Sequence, residues 1–308
     1  MKNELLATIE ILKNNMEELE RKIKLLPDED NNPISSPVEI ETLSNNQEEQ
    51  EIANLRALLN NPEWVEAVPA DLICNEKDHD DKIVRGRGIR DIFYSGYDYT
   101  NKKVLDFGTG YAHLTEAINE KNPALVVGYD IENNFQIDLT RQPKIKLTSS
   151  WEEVVKNAPY DLVIMYDVFD HLIDESPASV LMKIKDVMSD TSVIRMRCHP
   201  FISRHGGHVY NTINKSYIHL VFNERELKLL GHDMKNYPSK KIIYPMKMYR
   251  SAINESKLKI ISENVVNEPA EQFFLNGEIA ERIKANLQIP NLLIPQMGMQ
   301  FVDYTLGK

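Results

Sequence analysis

The chain has almost no cysteine: Cys74 and Cys198 are the whole complement in 308 residues, and they form no Cys-x-x-Cys pair. That excludes a disulfide framework and suits two free thiols in a reducing compartment, so a cytoplasmic location is expected. No apolar run approaches the length that spans a bilayer, and the amino terminus lacks the apolar core of a signal peptide. A membrane partner is therefore not expected. Positive charge is short as well, with 36 Lys and Arg against 47 Asp and Glu, a formal net charge of −11. Sequence-independent binding to DNA or RNA needs clustered cations, so nucleic acid is not an expected partner either. With no cysteine pair and no His-Glu-x-x-His, no metal is expected, although His205 and His208 stand three apart. Apolar mass is plentiful at 42% of residues, enough for the core of one large domain with an appendage.

The densest pattern runs through residues 102–118, Lys-Lys-Val-Leu-Asp-Phe-Gly-Thr-Gly-Tyr-Ala-His-Leu-Thr-Glu-Ala-Ile. Residues 104–107 predict a short buried strand, Gly108-Thr109-Gly110 a tight turn, and a helix follows with Leu114, Ala117 and Ile118 on its apolar side. Such a turn lets backbone approach a nucleotide-like ligand with no Cβ in the way. Twenty residues past Gly110, Val126-Val-Gly-Tyr-Asp130 ends a second apolar strand in a carboxylate, which suits two ribose hydroxyls. The dinucleotide pattern Gly-x-Gly-x-x-Gly is missing, because His113 stands three past Gly110. The spacing present is Asp-x-Gly-x-Gly-x-Ala, from Asp106 to Ala112.

Downstream, Tyr160-Asp-Leu-Val-Ile-Met-Tyr-Asp-Val-Phe-Asp-His-Leu172 predicts a fourth strand and its exit. Residues 179–188 carry a helical stripe of Val180, Leu181, Ile184, Val187 and Met188, and residues 191–197 read as a fifth strand. Pro200-Phe-Ile-Ser-Arg-His-Gly-Gly-His-Val-Tyr210 and Tyr217-Ile-His-Leu-Val-Phe-Asn-Glu224 come next. Taken together, these residues resemble the class I S-adenosylmethionine-dependent methyltransferases over roughly residues 80 to 308. Asp106 to Ala112 matches their motif I with Ala112 in place of the third small glycine, and Asp130 matches the acid ending their second strand. The two later segments look like the substrate-side insertion of a small-molecule subgroup.

The resemblance implies an α/β fold, a Rossmann-like seven-stranded methyltransferase sheet flanked by helices. Its strands are expected near residues 104–107, 126–129, 145–148, 161–166, 192–197, 258–265 and 299–306, the last two as an antiparallel pair. About fourteen residues separate Asp130 from the third strand, so the helix usual there must be very short or replaced by a loop. Ahead of this domain at 101–308, three further stretches are expected. Residues 1–26 carry a heptad seam, with Ile9, Met16 and Ile23 at one core position and Leu5, Leu12, Leu19 and Leu26 at the other. That predicts an amino-terminal coiled-coil helix that self-associates or docks on a partner helix through residues 5–26. Residues 27–50, acidic and rich in Asn and Ser, are expected to be a flexible linker. Residues 51–100 are expected to be a helical cap over the cofactor pocket, with another helical turn starting at Trp64 and Val65.

S-adenosylmethionine is the cofactor that the resemblance implies. Gly108 and Gly110 would let backbone reach its methionine part, and Asp106 would orient the turn or accept from the cofactor ammonium. Asp130 would take the ribose hydroxyls, with Ile131 beside it. In the third-strand segment Leu147-Thr-Ser-Ser-Trp151 the acid usual near adenine is missing, which leaves Ser150 to bond adenine and Trp151 to cover its face. Tyr166 and Asp167 leave the fourth strand beside the transfer point. Of the basic cluster Arg85-Gly-Arg-Gly-Ile-Arg90, Arg85 or Arg87 would pair with the cofactor carboxylate, and Arg87 is the candidate assigned to that role. Four histidines follow the fifth strand, His199, His205, His208 and His219. Imidazole titrates near neutral pH, so His208 first and His205 next are the candidates for a general base. Arg204, His199 and Tyr210 are the candidate substrate contacts, and His171 is assigned to packing.

The function expected is methyl transfer from S-adenosylmethionine to a small-molecule acceptor, the acceptor atom being oxygen, nitrogen or carbon. Two other readings stand beside it. One is an inactive methyltransferase-fold subunit of a larger assembly, a viral one included, tethered by its coiled coil. The other is a protein or peptide methyltransferase whose coil recruits the substrate.

Overall fold

The computed structural model describes residues 37–69, 73, 78–172, 175–210, 212–232, 245–273, 277–287 and 297–308, and the chain divides into two compact units, Met1–Asn54 and Leu55–Lys308. The coiled coil expected at residues 1–26 and Cys74 lie outside the described residues. The described part of the first unit is helical, belonging to α1 (Pro37–Leu59), whose last residues, from Leu55, are counted in the second. This corrects the linker expected at 27–50, which is helix from residue 37 onward. Proline fits the first helical turn, where its missing N–H needs no partner, and α1 contains no glycine and no second proline to break it.

In the second unit, α2 (His79–Phe93) precedes the sheet. Its N-cap is Asp78, whose carboxylate accepts the amide N–H groups of Asp80 and Asp81 at 2.9 and 3.4 Å. The segment before it departs from expectation, because Trp64 starts no helical turn. Its buried indole N–H instead donates to the Ser216 carbonyl at 3.0 Å. The remaining elements in chain order are β1 (Lys103–Phe107), α3 (His113–Asn119), β2 (Leu125–Tyr129), β3 (Ile145–Thr148), α4 (Trp151–Lys156) and β4 (Tyr160–Tyr166). After these come α5 (Pro177–Asp186), β5 (Met188–Cys198), α6 (Ile218–Val221), α7 (Glu224–Leu229), α8 (Pro245–Ser256), β6 (Lys259–Asn267), α9 (Gly277–Leu287) and β7 (Met299–Gly307). Only a 3-10 turn, Leu139–Arg141, lies between β2 and β3, which is what the short spacing there requires.

The seven strands stand in the order β3-β2-β1-β4-β5-β7-β6, and each falls within a few residues of its expected place. The first five are parallel, whereas β7 runs antiparallel to both β5 and β6. Side chains alternate between faces, so Val104 and Leu105 enter different cores. On one face Leu105, Val163 and Met165 pack with Leu181 and Ile184 of α5 and Tyr249 and Ile253 of α8. On the other, Val104, Val126 and Ile164 pack with Leu114 and Ile118 of α3. A third cluster joins Trp64, Tyr217, Phe222 and Leu227 to Ile279 and Ile283 of α9, and so anchors the insertion that follows β5. Among the described residues, no helix is long and apolar enough to cross a membrane.

Candidate functional site

The strand order reverses at β1, which has β2 on one side and β4 on the other. Crossovers leave such a point in opposite directions, and the carboxyl ends of the strands open into a crevice there. The crevice is present as a cleft floored by Asp106, Gly108 and Gly110, with Tyr166 and Asp167 at the exit of β4. Lys82 and Arg85 of α2, together with Tyr111, line it as well. Helix α2 comes this close because of Gly86, where an added Cβ would lie 2.5 Å from the His113 carbonyl oxygen. Lys82 places its ammonium over the Tyr111 ring, 3.2 Å from the centroid.

The glycine turn is fixed from below. Gly108 (φ +76°) and Thr109 donate their amide N–H groups to the Tyr129 carbonyl at 2.7 and 3.0 Å. The hydroxyls of Thr109 and Thr115 donate to Asp106 Oδ2 at 2.8 and 2.7 Å. Burial pushes the Asp106 carboxyl up to about 6, against the hydrogen bonds from Thr115 and Thr109. Asp106 thus orients the turn, one of the two roles expected of it. Ala112, which replaces the third glycine, still adopts the left-handed conformation at φ +71°. Gly110 (φ +55°) has open space where a Cβ would stand, so the cleft floor there is bare backbone.

Asp130 sits at the tip of β2, and its two oxygens accept the amides of Gly110 at 2.8 Å and Glu132 at 3.1 Å. Ile131 beside it is 76% exposed, and neither it nor Asp130 is among the residues lining the cleft. The two residues assigned to adenine are placed differently. Ser150 occupies the N-cap position of α4 and its hydroxyl donates to Glu152 at 2.6 Å. Trp151 packs edge-on against Phe107 and Tyr129, with ring centroids 6.2 and 5.5 Å away, so aromatic neighbours hold it against the sheet. Arg87 is absent from the cleft lining and forms an exposed pair with Glu120 at 2.6 Å, while Arg85, two residues earlier on α2, lines the cleft.

The histidines gather around Asp167. His199 Nδ1 lies 3.6 Å and His171 Nε2 3.9 Å from Asp167 Oδ1, and His208 Nε2 lies 3.7 Å from Oδ2. Burial alone would raise the Asp167 carboxyl, but the imidazoles facing it, His208 foremost, hold it below the usual carboxylate range. Burial lowers His208 to about 4, leaving a neutral ring at physiological pH. Asp170 is fixed nearby, accepting the His199 amide at 2.6 Å and the Tyr249 hydroxyl. His205, the second candidate base, is instead enclosed, its ring 4.0 Å from that of His199 and 5.5 Å from that of Phe301. His219 serves the core, its Nε2 2.7 Å from the Phe201 carbonyl oxygen. Arg204 pairs with Glu268 at 3.1 Å, and the Tyr210 ring stands 6.4 Å from those of His205 and His208. His171, assigned to packing from sequence, is brought into the Asp167 cluster. Its signal was the Asp-Val-Phe-Asp-His run itself, which sets His171 four positions past Asp167 on a 3-10 turn at Phe169–His171.

Residues 86–230 match the family model described as a methyltransferase domain. No curated protein matches the chain. Among solved structures, it is similar to an S-adenosylmethionine-dependent methyltransferase from Archaeoglobus fulgidus, at 17% identity over 74% of this chain and 94% of that one, TM-score 0.46. It is similar to the 1,6-didemethyltoxoflavin-N1-methyltransferase of Burkholderia thailandensis, at 9% identity over 90% and 92% of the two chains, TM-score 0.42. It is also similar to an S-adenosylmethionine-dependent methyltransferase from Mesorhizobium loti, at 10% identity over 69% and 93%, TM-score 0.39.

Proposed function

We propose that this chain, whose residues 86–230 match the methyltransferase-domain model, is a class I enzyme that transfers a methyl group from S-adenosylmethionine to a small-molecule acceptor. The observation that carries the reading is the cleft at the strand-order reversal, floored by the bare backbone of Gly110, whose amide the Asp130 carboxylate holds at 2.8 Å. The residues present fit the cofactor. Space stands open above Gly110, a carboxylate lies at the tip of β2, and the cations Lys82 and Arg85 face the cleft where a carboxylate-bearing group would end. When bound, S-adenosylmethionine supplies a methyl group already activated on a sulfonium, so the protein's task is alignment.

Asp130 would hold the ribose hydroxyls with the lone pairs its two amide bonds leave open, and Ile131 would cover an apolar face beside them. Arg85 would pair with the cofactor carboxylate. Tyr166 and Asp167 would bound the place where the methyl group meets the acceptor. His208, neutral and beside Asp167, is the group placed to take a proton there, and Tyr210 and Arg204 lie on the acceptor side. The heptads at residues 5–26 would serve as an oligomerising or docking arm. Light scattering on the full chain would show a lower mass for an Ile9→Lys, Ile23→Lys variant if they self-associate.

The test is transfer of label from methyl-labelled S-adenosylmethionine to a panel of small hydroxyl, amine and thiol compounds. Label on a small molecule supports the reading. A folded chain that binds the cofactor yet labels none of them, or labels only protein, contradicts the acceptor class.

A further inference from the structure

We infer that Asp167, His171 and His208 form a site for one divalent transition-metal ion at the acceptor end of the cleft. One ligand atom from each of the three lies within 4.8 Å of the others. The separations from Asp167, 3.9 Å to His171 Nε2 and 3.7 Å to His208 Nε2, are too long for hydrogen bonds. They suit donors grouped about an ion, since bonds of about 2.0–2.2 Å set neighbouring donors roughly 3–4 Å apart.

Burial without partners points the same way. Asp167 Oδ1 and His208 Nε2 are buried without a close hydrogen bond, the nearest imidazole to Oδ1 being His199 Nδ1 at 3.6 Å, an arrangement that costs stability unless something fills it. His199 Nε2, just behind them, is buried and unpartnered too. Two of the three backbones are also held in a left-handed conformation that non-glycine residues seldom adopt, Asp167 at φ +58° and His208 at φ +52°. Each is pinned there, the Asp167 amide on the Arg197 carbonyl and the His208 amide on that of His205, both at 3.0 Å. Strain of this kind concentrates where side chains must converge. The spacing of His205 and His208 in the sequence suggests that pair as the metal reading, whereas the fold replaces His205 with His171 from a separate loop.

Two imidazoles and one carboxylate suit ions from the manganese-to-zinc series better than magnesium or calcium. Three protein ligands leave coordination positions open, and Asp167 lines the cleft, so those positions face the acceptor. His171 is half exposed, which gives the ion a way in. What the ion does there rests on the methyl-transfer reading, and it narrows the acceptor to a hydroxyl compound. With the ion bound, His208 is a ligand and no longer the base, so the hydroxyl proton leaves to solvent as its oxygen meets the ion. The oxygen then forms the new bond to the methyl carbon, while the carbon–sulfur bond breaks with its electron pair left on sulfur.

The test uses the untagged full-length chain, stripped with chelator and titrated with Co2+ under visible absorption, beside S-adenosylmethionine calorimetry. One Co2+ per chain with ligand-field bands is expected. His171→Ala and His208→Ala should each weaken that binding at least about tenfold, the scale that loss of outer-shell partners already reaches. Cofactor affinity retained in the half-exposed His171→Ala variant shows that it is folded. A cofactor-binding wild type without a stoichiometric Co2+ site, or variants that bind Co2+ as wild type does, would overturn the site. Co2+ bound as expected by a chain that binds no cofactor would uphold the site and contradict the methyltransferase reading alone.

Discussion

The amide of Gly110 donates to the Asp130 carboxylate across 2.8 Å, which ties the glycine turn after β1 to the tip of β2. With its other oxygen on the Glu132 amide, Asp130 is fixed before any ligand arrives. Preorganisation of this kind removes ordering costs from binding. It also makes the turn and the acid one unit, so their substitutions separate folding from binding.

Gly108 and Gly110 should answer alanine differently. At Gly108 (φ +76°) a Cβ would lie 2.3 Å from a Val168 methyl, so Gly108→Ala should lower stability by about 1–3 kcal/mol in thermal unfolding. Gly110→Ala meets no neighbour and should cost about 1 kcal/mol for its conformation. Its methyl group would stand in the cleft, so calorimetry should show weakened cofactor binding. Equal stability losses with unchanged binding in Gly110→Ala would refute this account of the floor.

Arg85 and Arg87 are separated by function although they are two apart in sequence. Arg85→Ala should weaken cofactor binding about tenfold, the loss of one charge-assisted contact. Arg87→Ala removes only an exposed pair with Glu120 and should leave the affinity unchanged. The reverse order would return the cofactor carboxylate to Arg87.

Asp106 should leave a mark on the pH dependence of stability. Its folded carboxyl titrates near 6 because it is buried, whereas an unfolded aspartate releases its proton near 4. Between those values the unfolded chain binds fewer protons, so stability falls as pH rises. Urea unfolding from pH 4 to 7 should show wild type losing about 3 kcal/mol relative to Asp106→Asn. A flat difference across that window would contradict the shifted titration.

The pair of Arg197 and Asp303 joins β5 to β7 through two bonds of 2.6 Å, with the guanidinium 3.5 Å from the Phe93 ring centroid. Asp303→Asn would leave a buried cation without its carboxylate, at a cost of about 3 kcal/mol. Arg197→Met keeps the apolar packing and should cost less. Thermal unfolding that ranks the two variants the other way would show that the charge pair is not what matters there.

The strands, the glycine turn and Asp130 were legible because their signals are local: apolar runs of strand length, a turn that needs glycine, and an acid at a strand end. Helix α2 falls within the stretch expected to be a helical cap, but its bounds were hidden, since its buried face is Lys82, Ile83, Gly86 and Arg90 and carries no apolar stripe. Helix α1 was masked by its acidic, Asn-rich composition, which reads as linker although nothing in it breaks a helix. The partners of Arg87 and Trp151 lie on other elements, Glu120 on the turn after α3 and Phe107 and Tyr129 on β1 and β2, so spacing along the chain said nothing of them. The Asp167 cluster draws on two loops that only the finished fold brings together.

Calorimetric titration of S-adenosylmethionine into the full chain and into Asp130→Ala tests the central claim most directly. The account predicts saturable one-to-one binding by the wild type, weakened about ten- to a hundredfold in the variant by loss of charged hydrogen bonds. A folded wild type that binds no cofactor, or an Asp130→Ala variant that binds as tightly, would contradict it.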